Sequence, residues 1–218
     1  MKAHLPYDRV LWDFNCTILD DLGHGIEAIN VLLRRRGLPT VDTPERYYAV
    51  FGFPIVDYYR RLGLLEKESY ATLADEWIAE YRRDEARIPA RPGAVALIRR
   101  LAAAGLPQSV LSATESSMLR CQLAYLGLSD AFDEIIGRQD IYAPSKLAVA
   151  LAWRQRHSDE RVICIGDTDH DFECAAACGM DCVLVEGGHQ SPERLRSLGC
   201  PVLHDLDELE AYLFGDPV

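Results

Sequence analysis

Two short apolar runs, each followed closely by an aspartate, constrain the fold of this chain more than any other feature. Val10-Leu11-Trp12 precedes Asp13, and Val162 to Ile165 precedes Gly166 and Asp167. Continuous apolar runs of this length predict buried strands of a parallel sheet. In open α/β sheets, ligands bind beyond the carboxyl ends of such strands. Because an aspartate after a strand also commonly begins a turn, Asp13 alone does not identify a site.

The order of the predicted elements divides the chain into an α/β part and a helical part. After residue 88 the pattern alternates between helices and strands, and the strands are predicted near residues 107–111, 134–136, 162–165, 182–185 and 202–203. Residues 19–87 predict helices alone. The first strand therefore has no parallel partner until after the helical block. We predict an α/β core of residues 1–18 and 88–218, with residues 19–87 inserted as a helical domain.

The composition excludes several classes of function. The chain has 218 residues and a formal net charge of −11, which argues against non-specific binding to nucleic acid and against docking on anionic membranes. No apolar run is long enough to span a membrane and no secretory leader is evident, so we expect a cytoplasmic protein. The seven cysteines form no Cys-x-x-Cys pair, and disulfides are not expected. Cys174 and Cys178, four residues apart, would be small buried hydrophobes or a soft-metal site.

Acidic residues follow the two most apolar strands, which tend to be neighbours in the middle of a doubly wound sheet. The carboxylates of Asp13 and Asp167 can then share one divalent cation. Asp171 lies one helical turn after Asp167 and would face the same way. Oxygen ligands of this kind suit Mg²⁺ better than softer metals. The sequence therefore predicts a magnesium site at this edge of the sheet.

Two further positions on the same edge are suited to a phosphoryl group. Ser112 has a hydroxyl and, with the amides of Ala113 and Thr114 before a helix, offers hydrogen-bond donors. Lys146, at the start of another helix, supplies a positive charge. A helix-capping serine and an exposed lysine are the simpler interpretations of each residue alone. Together with the metal, they would stabilise the charge of a phosphoryl group during its transfer.

These residues resemble, in the right order, the four motifs of the haloacid dehalogenase superfamily. The motifs are Asp13-Phe14-Asn15-Cys16-Thr17, Ser112, Lys146, and Gly166-Asp167-Thr168-x-x-Asp171. The similarity covers nearly the whole chain. The helical block resembles the small cap of the branch that contains phosphoglycolate phosphatase and β-phosphoglucomutase.

The resemblance implies a Rossmann-like, doubly wound parallel sheet of order 5-4-1-2-3 with an inserted helical cap domain. It also implies that Asp13 is a nucleophile that forms an aspartyl-phosphate. Ser112 and Lys146 would hold the phosphate, together with Thr17 and Ala113. Mg²⁺ would be bound by the set Asp13, Asn15 through its backbone carbonyl, Asp167 and Asp171.

The chain departs from the family pattern at Asn15, where the phosphatases normally have a second aspartate that acts as general acid and base. An amide cannot exchange a proton near neutral pH, and general acid/base catalysis typically contributes roughly 10²- to 10⁴-fold. We therefore predict slow turnover that is least impaired for good leaving groups. His170, with an ordinary pKa near 6.5, is a candidate replacement, although a supporting or solvent-facing role is the simpler interpretation. Asp169, beside His170 in the same motif, has the same two possible roles.

A second departure is Cys16, where the family usually has glycine. Glycine permits a positive φ or a close approach of the backbone to phosphate. Cys16 is either a small residue tolerated in the turn or a second nucleophile whose pKa is lowered by a metal and helix ends. His189 is expected to be an ordinary loop residue.

The leading function is that of a Mg²⁺-dependent phosphatase acting on a small phosphomonoester of phosphoglycolate type, as a monomer or a homodimer. A cap that opens and closes would set specificity, with Phe53, Arg60 and Arg61 as candidates to face the substrate. The run Arg34 to Arg36 would be a solvated helix end or a phosphate patch. The alternatives are a dehalogenase or phosphonatase of the same fold, and a phosphate- or metabolite-binding regulator that has lost catalysis.

Overall fold

A computed structural model describes residues 6–83, 87–138 and 146–215 of the chain. Within these ranges, six strands form one parallel sheet. The strands are β1 (Arg9–Trp12), β2 (Gln108–Glu115), β3 (Glu134–Arg138), β4 (Val162–Gly166), β5 (Asp181–Val185) and β6 (Val202–Leu203). Their order across the sheet is β3-β2-β1-β4-β5-β6. This order confirms the predicted arrangement, with β6 added beside β5.

The first strand lies at the centre of the sheet, between the two strands whose ends carry the predicted site. Leu11 pairs with Ser109 of β2 on one side and with Cys164 of β4 on the other. All four residues of β1 are buried. Because every strand is parallel, the carboxyl ends of β1, β2 and β4 meet at the same edge.

Both faces of the sheet are covered, as expected for a doubly wound fold. Side chains alternate between faces along a strand, so Trp12 packs in one apolar cluster and Leu11 in another. The cluster around Trp12 includes Leu97 and Leu119, whereas the cluster around Leu11 includes Trp153. The helices that supply these layers and finish the fold are α5 (Ala94–Ala103), α6 (Ser116–Tyr125), α7 (Lys146–Arg156), α8 (Asp169–Ala177), α9 (Pro192–Arg196) and α10 (Leu206–Phe214).

The segment between β1 and α5 is helical and has an apolar cluster of its own. It contains α1 (Leu22–Arg35), α2 (Pro44–Val50), α3 (Ile55–Arg61), a short 3-10 helix (Leu64–Glu66) and α4 (Tyr70–Tyr81). Its cluster is built around Leu32, Tyr58 and Leu73, and is separate from the two clusters of the sheet. We call residues 22–81 the helical block. The division into domains at 18/19 and 87/88 stays a prediction.

The chain enters and leaves the helical block at adjacent points. Leu19 pairs with Ala90 in an isolated antiparallel bridge, and the amide of Asp20 donates to the carbonyl of Pro89 (2.9 Å). The amide of Arg91 donates to the carbonyl of Ile18 (2.8 Å). These bonds fix the two connections next to the end of β1, so the helical block stands directly over the predicted site.

Several details differ from the sequence predictions. β2 continues through Ser112, Ala113 and Thr114, which were expected to follow the strand. Its pairing with β3 shifts in register between Leu111 and Glu115, so this stretch is irregular, and irregular pairing next to a site often redirects a side chain. Helix α9 was not predicted. In the part of the chain that the structure describes, no helix is long and apolar enough to span a bilayer.

The cysteines and the arginine run follow their simpler interpretations. All seven cysteines are free, and Cys178 packs in the apolar cluster with Cys164 and Met180. The arginine run forms ion pairs inside the helical block, where Arg35 contacts Glu76 and Glu80 (2.5 and 2.6 Å). A phosphate patch at this helix end is therefore not supported.

Candidate active site

Three carboxylates meet at the carboxyl ends of β1 and β4. Asp13, Asp167 and Asp171 each have an oxygen within 4.8 Å of the others. Asp13 follows β1, where its amide donates to the carbonyl of Ile165 (2.8 Å), and Asp167 follows β4. The structure thus brings together the three acids that the sequence predicted as metal ligands.

Two glycines allow the backbone to approach these acids closely. A Cβ at Gly166 would lie 2.4 Å from Cγ of Asp171. A Cβ at Gly188, in the loop after β5, would lie 2.1 Å from Oδ2 of Asp167. Any side chain at either position would displace the neighbouring carboxylate.

Asp171 is also held by the start of its own helix. The Thr168 side chain accepts a bond from the amide of Asp171, and Oδ2 of Asp171 accepts from the amide and hydroxyl of Thr168 (3.1 and 2.6 Å). This reciprocal capping box fixes the first turn of α8. One carboxylate oxygen of Asp171 is therefore used to stabilise the helix, and the other faces the site.

Lys146 connects the acids of the two strands. Its ammonium donates to Oδ1 of Asp13 and to Oδ1 of Asp171 (2.8 Å). Burial acts to lower the pKa of Lys146, but the charges of Asp13 and Asp171 raise it well above its ordinary value. Lys146 is thus held as a cation. The two residues before it in the chain, Pro144 and Ser145, lie outside the described residues.

The acids carry more negative charge than one lysine can balance. Burial, followed by repulsion from Asp171, raises the pKa of Asp13 to about 7 although Lys146 opposes this. Burial and the charge of Asp13 raise the pKa of Asp167 well above its ordinary value. For Asp171, burial acts upward, but Lys146 and the hydrogen bonds bring its pKa below the ordinary value. Buried oxygen ligands that lack a counter-charge fit a hard divalent cation.

The amide of Asn15 is fully engaged by its neighbours. Nδ2 donates to Oδ2 of Asp21 (2.7 Å), and Oδ1 accepts from the hydroxyls of Ser112 (3.1 Å) and Thr114 (2.7 Å). Asp21 also accepts from the hydroxyl of Tyr81, at the end of α4 (2.8 Å). Neither Asp21, six positions after Asn15, nor Tyr81 was predicted as a site residue from the sequence.

The other predicted phosphate-binding residues lie at the site in different settings. The hydroxyl of Thr17 donates to Oδ1 of Asp167 (3.2 Å) and is fully buried. Ala113 is exposed. The amide of Thr114, expected to offer a donor to a phosphoryl oxygen, donates to Oγ of Ser112 (3.0 Å).

Cys16 has a positive φ, a backbone conformation that favours glycine, the residue usual at this position in the family. Its φ is 57°, and it is the one non-glycine residue with positive φ in the described ranges. Arg91 holds the carbonyl of Cys16 (2.8 Å) and that of Glu186 (2.6 Å). Burial and the charges of Asp21 and Asp167 raise the pKa of the thiol well above its ordinary value. This direction is opposite to the one that a second nucleophile would need.

Two histidines occupy places that the sequence assigned differently. The ring of His170 packs beside Phe53, with centroids 4.8 Å apart, and its Nδ1 lies 3.7 Å from Glu173. It is thus not brought to the amide of Asn15. His189, expected to be a loop residue, donates its amide to Oδ2 of Asp167 (2.7 Å) and shares a hydrogen bond between Nδ1 and the hydroxyl of Tyr47 (2.6 Å).

The remaining candidates, three from the helical block and Asp169 of α8, have partners of different kinds. Phe53 is partly exposed and reaches the sheet domain through His170. Arg60 forms an ion pair with Asp57, and Arg61 donates to the carbonyl of Val50 (2.8 Å). Asp169 accepts from Gln190 (2.6 Å) and from Arg194, which ties the start of α8 to α9. The structure therefore gives Asp169 a partner other than a substrate.

Residues 10–185 match the family model described as haloacid dehalogenase-like hydrolase. The chain belongs to this family. The match covers most of the chain and includes all of the predicted motifs, so the resemblance proposed from the sequence is confirmed.

Two named relatives are similar to most of the chain. The chain is 26% identical over 215 residues to phosphoglycolate phosphatase of Yersinia pestis, covering 93% of this chain and 91% of that protein. It is 31% identical over 189 residues to tyrosine-protein kinase PtkA of Mycobacterium tuberculosis, covering 83% of this chain but 62% of PtkA. The similarity to phosphoglycolate phosphatase bears out the predicted phosphoglycolate-phosphatase-like branch.

Solved structures share the fold. A haloacid dehalogenase-like hydrolase from Streptococcus pneumoniae superposes with a TM-score of 0.80 at 21% identity, covering 94% of this chain and 97% of that one. The structure of Mycobacterium tuberculosis PtkA superposes with a TM-score of 0.78 at 25% identity, covering 95% and 98%. The α/β fold predicted from the sequence is thus confirmed.

Proposed function

We propose that this protein is a Mg²⁺-dependent phosphatase that hydrolyses a small phosphomonoester of phosphoglycolate type through an aspartyl-phosphate at Asp13. The observation that carries the proposal is the convergence of Asp13, Asp167 and Asp171 around the ammonium of Lys146. Membership of a hydrolase family and the similarity to phosphoglycolate phosphatase support it.

Mg²⁺ would be held by carboxylate oxygens of Asp13, Asp167 and Asp171, with the backbone carbonyl of Asn15, and would supply positive charge to the phosphoryl oxygens. The donor set fits this ion because it consists of buried oxygens with excess negative charge. Lys146 balances part of that charge, opposes the rise in the pKa of Asp13 and orients its carboxylate.

The reaction would proceed in two displacements at phosphorus. An oxygen of Asp13 attacks, the bond from phosphorus to the ester oxygen breaks, and the alcohol leaves with a proton taken from water. Water then attacks the phosphorus of the aspartyl-phosphate, which releases inorganic phosphate and restores Asp13. Lys146 and Ser112 hold the phosphoryl oxygens, with Thr17 and Ala113 beside them. Asn15 orients groups by hydrogen bonding but moves no proton, so poor leaving groups react slowly.

The helical block would act as the cap that closes over the substrate. Tyr47 and Phe53 already contact histidines of the sheet domain, so this arrangement represents a closed state. Closure would exclude water from the phosphoryl group, and the residues facing the cleft would select the rest of the substrate.

A panel of phosphomonoesters, assayed with Mg²⁺ and with EDTA, tests the proposal. We expect Mg²⁺-dependent release of phosphate, fastest with aryl phosphates because they are good leaving groups. The Asp13→Asn variant is the matched control for contaminating activity. Tight phosphate binding without turnover of any ester would contradict the enzyme and support the regulator; turnover of haloacids or phosphonates would indicate the other chemistries of the family.

A second candidate is phosphoryl transfer to a tyrosine, favoured by the 31% identity to a protein named as a tyrosine kinase. It would use the same nucleophile with a phenol in place of water as acceptor. Incubation with labelled ATP and tyrosine-containing peptides, followed by phosphotyrosine detection, distinguishes it from hydrolysis. Labelled phosphotyrosine that is absent in Asp13→Asn would support transfer.

A further inference from the structure

A second set of possible metal ligands lies next to the three carboxylates and contains sulfur and nitrogen. Sγ of Cys16, a carboxylate oxygen of Asp167 and a ring nitrogen of His189 all lie within 4.8 Å of one another. This set shares Asp167 alone with the oxygen site. We propose that Cys16, Asp167 and His189 bind a thiophilic divalent cation such as Zn²⁺, and that this cation competes with Mg²⁺ for the active site.

His189 is already held as a metal-binding imidazole would be. Its Nδ1 shares a hydrogen bond with the hydroxyl of Tyr47 (2.6 Å), and its ring stacks on Phe51 with centroids 4.5 Å apart and an angle of 12°. If Nε2 is the ligand, this bond is the partner that an imidazole ligand usually has on its other nitrogen, which fixes the tautomer and the orientation of the ring.

The backbone of Cys16 provides the second argument. A positive φ strains the backbone of a side-chain-bearing residue when nothing compensates for it, and such residues cluster at functional sites. Here the conformation is maintained by Arg91, which binds the carbonyl of Cys16, and by Asp21, which accepts from its amide (2.8 Å). A glycine would adopt the same φ without this cost. The thiol is therefore the feature that distinguishes this position from the one usual in the family.

Charge and ligand type favour zinc over magnesium at this site. A thiolate, a carboxylate and a neutral imidazole together neutralise a divalent cation, and three protein ligands leave a fourth position for water. The thiol now donates to Oδ1 of Asp21 (3.4 Å), and binding would release that proton to solvent. Mg²⁺ prefers oxygen ligands, so the two adjacent sites select different ions.

Inhibition follows from the shared residue. Both sites need oxygens of Asp167, and two divalent cations that share this carboxylate would repel each other. A cation bound to Cys16 and His189 should therefore weaken Mg²⁺ binding. This consequence rests on the proposed phosphatase function, whereas the metal site itself does not.

Cobalt titration of the full chain tests the site without any assay of activity. We expect Co²⁺ to bind at one equivalent and to give the near-ultraviolet charge-transfer absorption of a cobalt–thiolate bond. The absorption should be lost in Cys16→Ser and in Cys16→Gly, a variant that relieves the backbone and therefore folds. Tyr47→Phe should weaken binding by about 10- to 100-fold, the usual effect of removing a hydrogen-bonding partner of a metal ligand.

Cys121→Ser, at an exposed cysteine outside the site, is the matched control and should retain the absorption. Absence of the absorption in the unmodified protein, or its persistence in Cys16→Gly, would overturn the proposal. In the phosphatase assay, Zn²⁺ should inhibit at low Mg²⁺, higher Mg²⁺ should restore the rate, and Cys16→Gly should resist Zn²⁺. Equal inhibition of Cys16→Gly would overturn the competition. If no ester is hydrolysed, the cobalt spectrum still decides whether the metal site exists.

Discussion

The loops that follow β1 and β4 lie side by side at the centre of the sheet, but they are stabilised in different ways. The loop after β4 is closed by its own residues, since Thr168 and Asp171 cap each other at the start of α8. The loop after β1 depends on residues distant from it in sequence: Tyr81 of the helical block bonds to Asp21, and Arg91 binds the carbonyl of Cys16.

The two loops therefore differ in how they would respond to a movement of the helical block. Asp171 is held by bonds within one helical turn and keeps its place however the helical block moves. Asn15 and Cys16 are coupled to α4 through Asp21 and Tyr81, so displacement of the helical block would reorganise the loop after β1. The carboxylate of Asp171 is thus held within its own helical turn, whereas the loop of Asn15 and Cys16 responds to the position of the helical block.

The largest effect is expected from replacing the nucleophile. Asp13→Asn keeps the shape of the side chain but removes the attacking oxygen anion, so kcat should fall by at least about 10⁴-fold, in line with the removal of other catalytic nucleophiles. Steady-state kinetics on the best ester measures the fall, and acid quenching measures the loss of the covalent phosphate. Asp20→Asn, at a neighbouring exposed aspartate, is the matched control and should keep the rate. A comparable rate in Asp13→Asn would refute the covalent route.

The next effect concerns the proton that Asn15 cannot carry. Asn15→Asp should raise kcat for poor leaving groups by about 10²-fold, at the lower end of what general acid/base catalysis contributes. The cost is in stability, because the new carboxylate would replace an amide that lies 2.7 Å from Oδ2 of Asp21. At neutral pH the two acids would have to share a proton or separate.

The double variant Asn15→Asp with Asp21→Asn tests this explanation. It restores one amide and one carboxylate at the contact, so its melting temperature should exceed that of Asn15→Asp alone while the rate gain persists. An unchanged rate in both variants would show that another group already transfers the proton.

Sequence reasoning identified the strands and acids because they follow local rules. Apolar runs predict β1 and β4, and Asp171 follows Asp167 by one helical turn. It missed the partners of Asn15 and the place of His189, which is joined to the site through Tyr47 and Asp167. The two contacts of His189 span 142 and 22 positions of the chain, and no periodicity or capping pattern encodes them.

A glycine variant tests how closely the backbone after β5 must approach Asp167, which follows β4. Gly188→Ala places a methyl group where Oδ2 of Asp167 now lies, 2.1 Å from the new Cβ, and should weaken Mg²⁺ binding by about 10- to 100-fold. Gly23→Ala, at a position with nothing within 4 Å, is the control and should leave Mg²⁺ affinity unchanged. Isothermal titration with Mg²⁺ measures both. Normal affinity in Gly188→Ala would mean that Asp167 is not a ligand.

The smallest expected effect is on thermal stability, and it tests whether the three carboxylates carry unbalanced negative charge. The pKa of Asp13 is raised to about 7 from an ordinary value near 3.8, so the folded protein binds more protons than the unfolded chain between these values. Stability of the metal-free protein should therefore fall as the pH rises through this window, because the carboxylate must ionise against its neighbours. Mg²⁺ would offset the cost, and more so at pH 8 than at pH 5.5.

At a Mg²⁺ concentration about 100 times the dissociation constant, the stabilisation is about 2.7 kcal/mol. For a chain of this length, that corresponds to a rise of roughly 5–10 °C in Tm. Melting curves with Mg²⁺ and with EDTA at the two pH values measure the difference. In Asp13→Asn, which has no carboxylate to ionise there, the metal-free Tm should vary less with pH. An equal Mg²⁺ effect at both pH values would mean that Asp13 is already ionised at pH 5.5, and that Lys146 alone balances its charge.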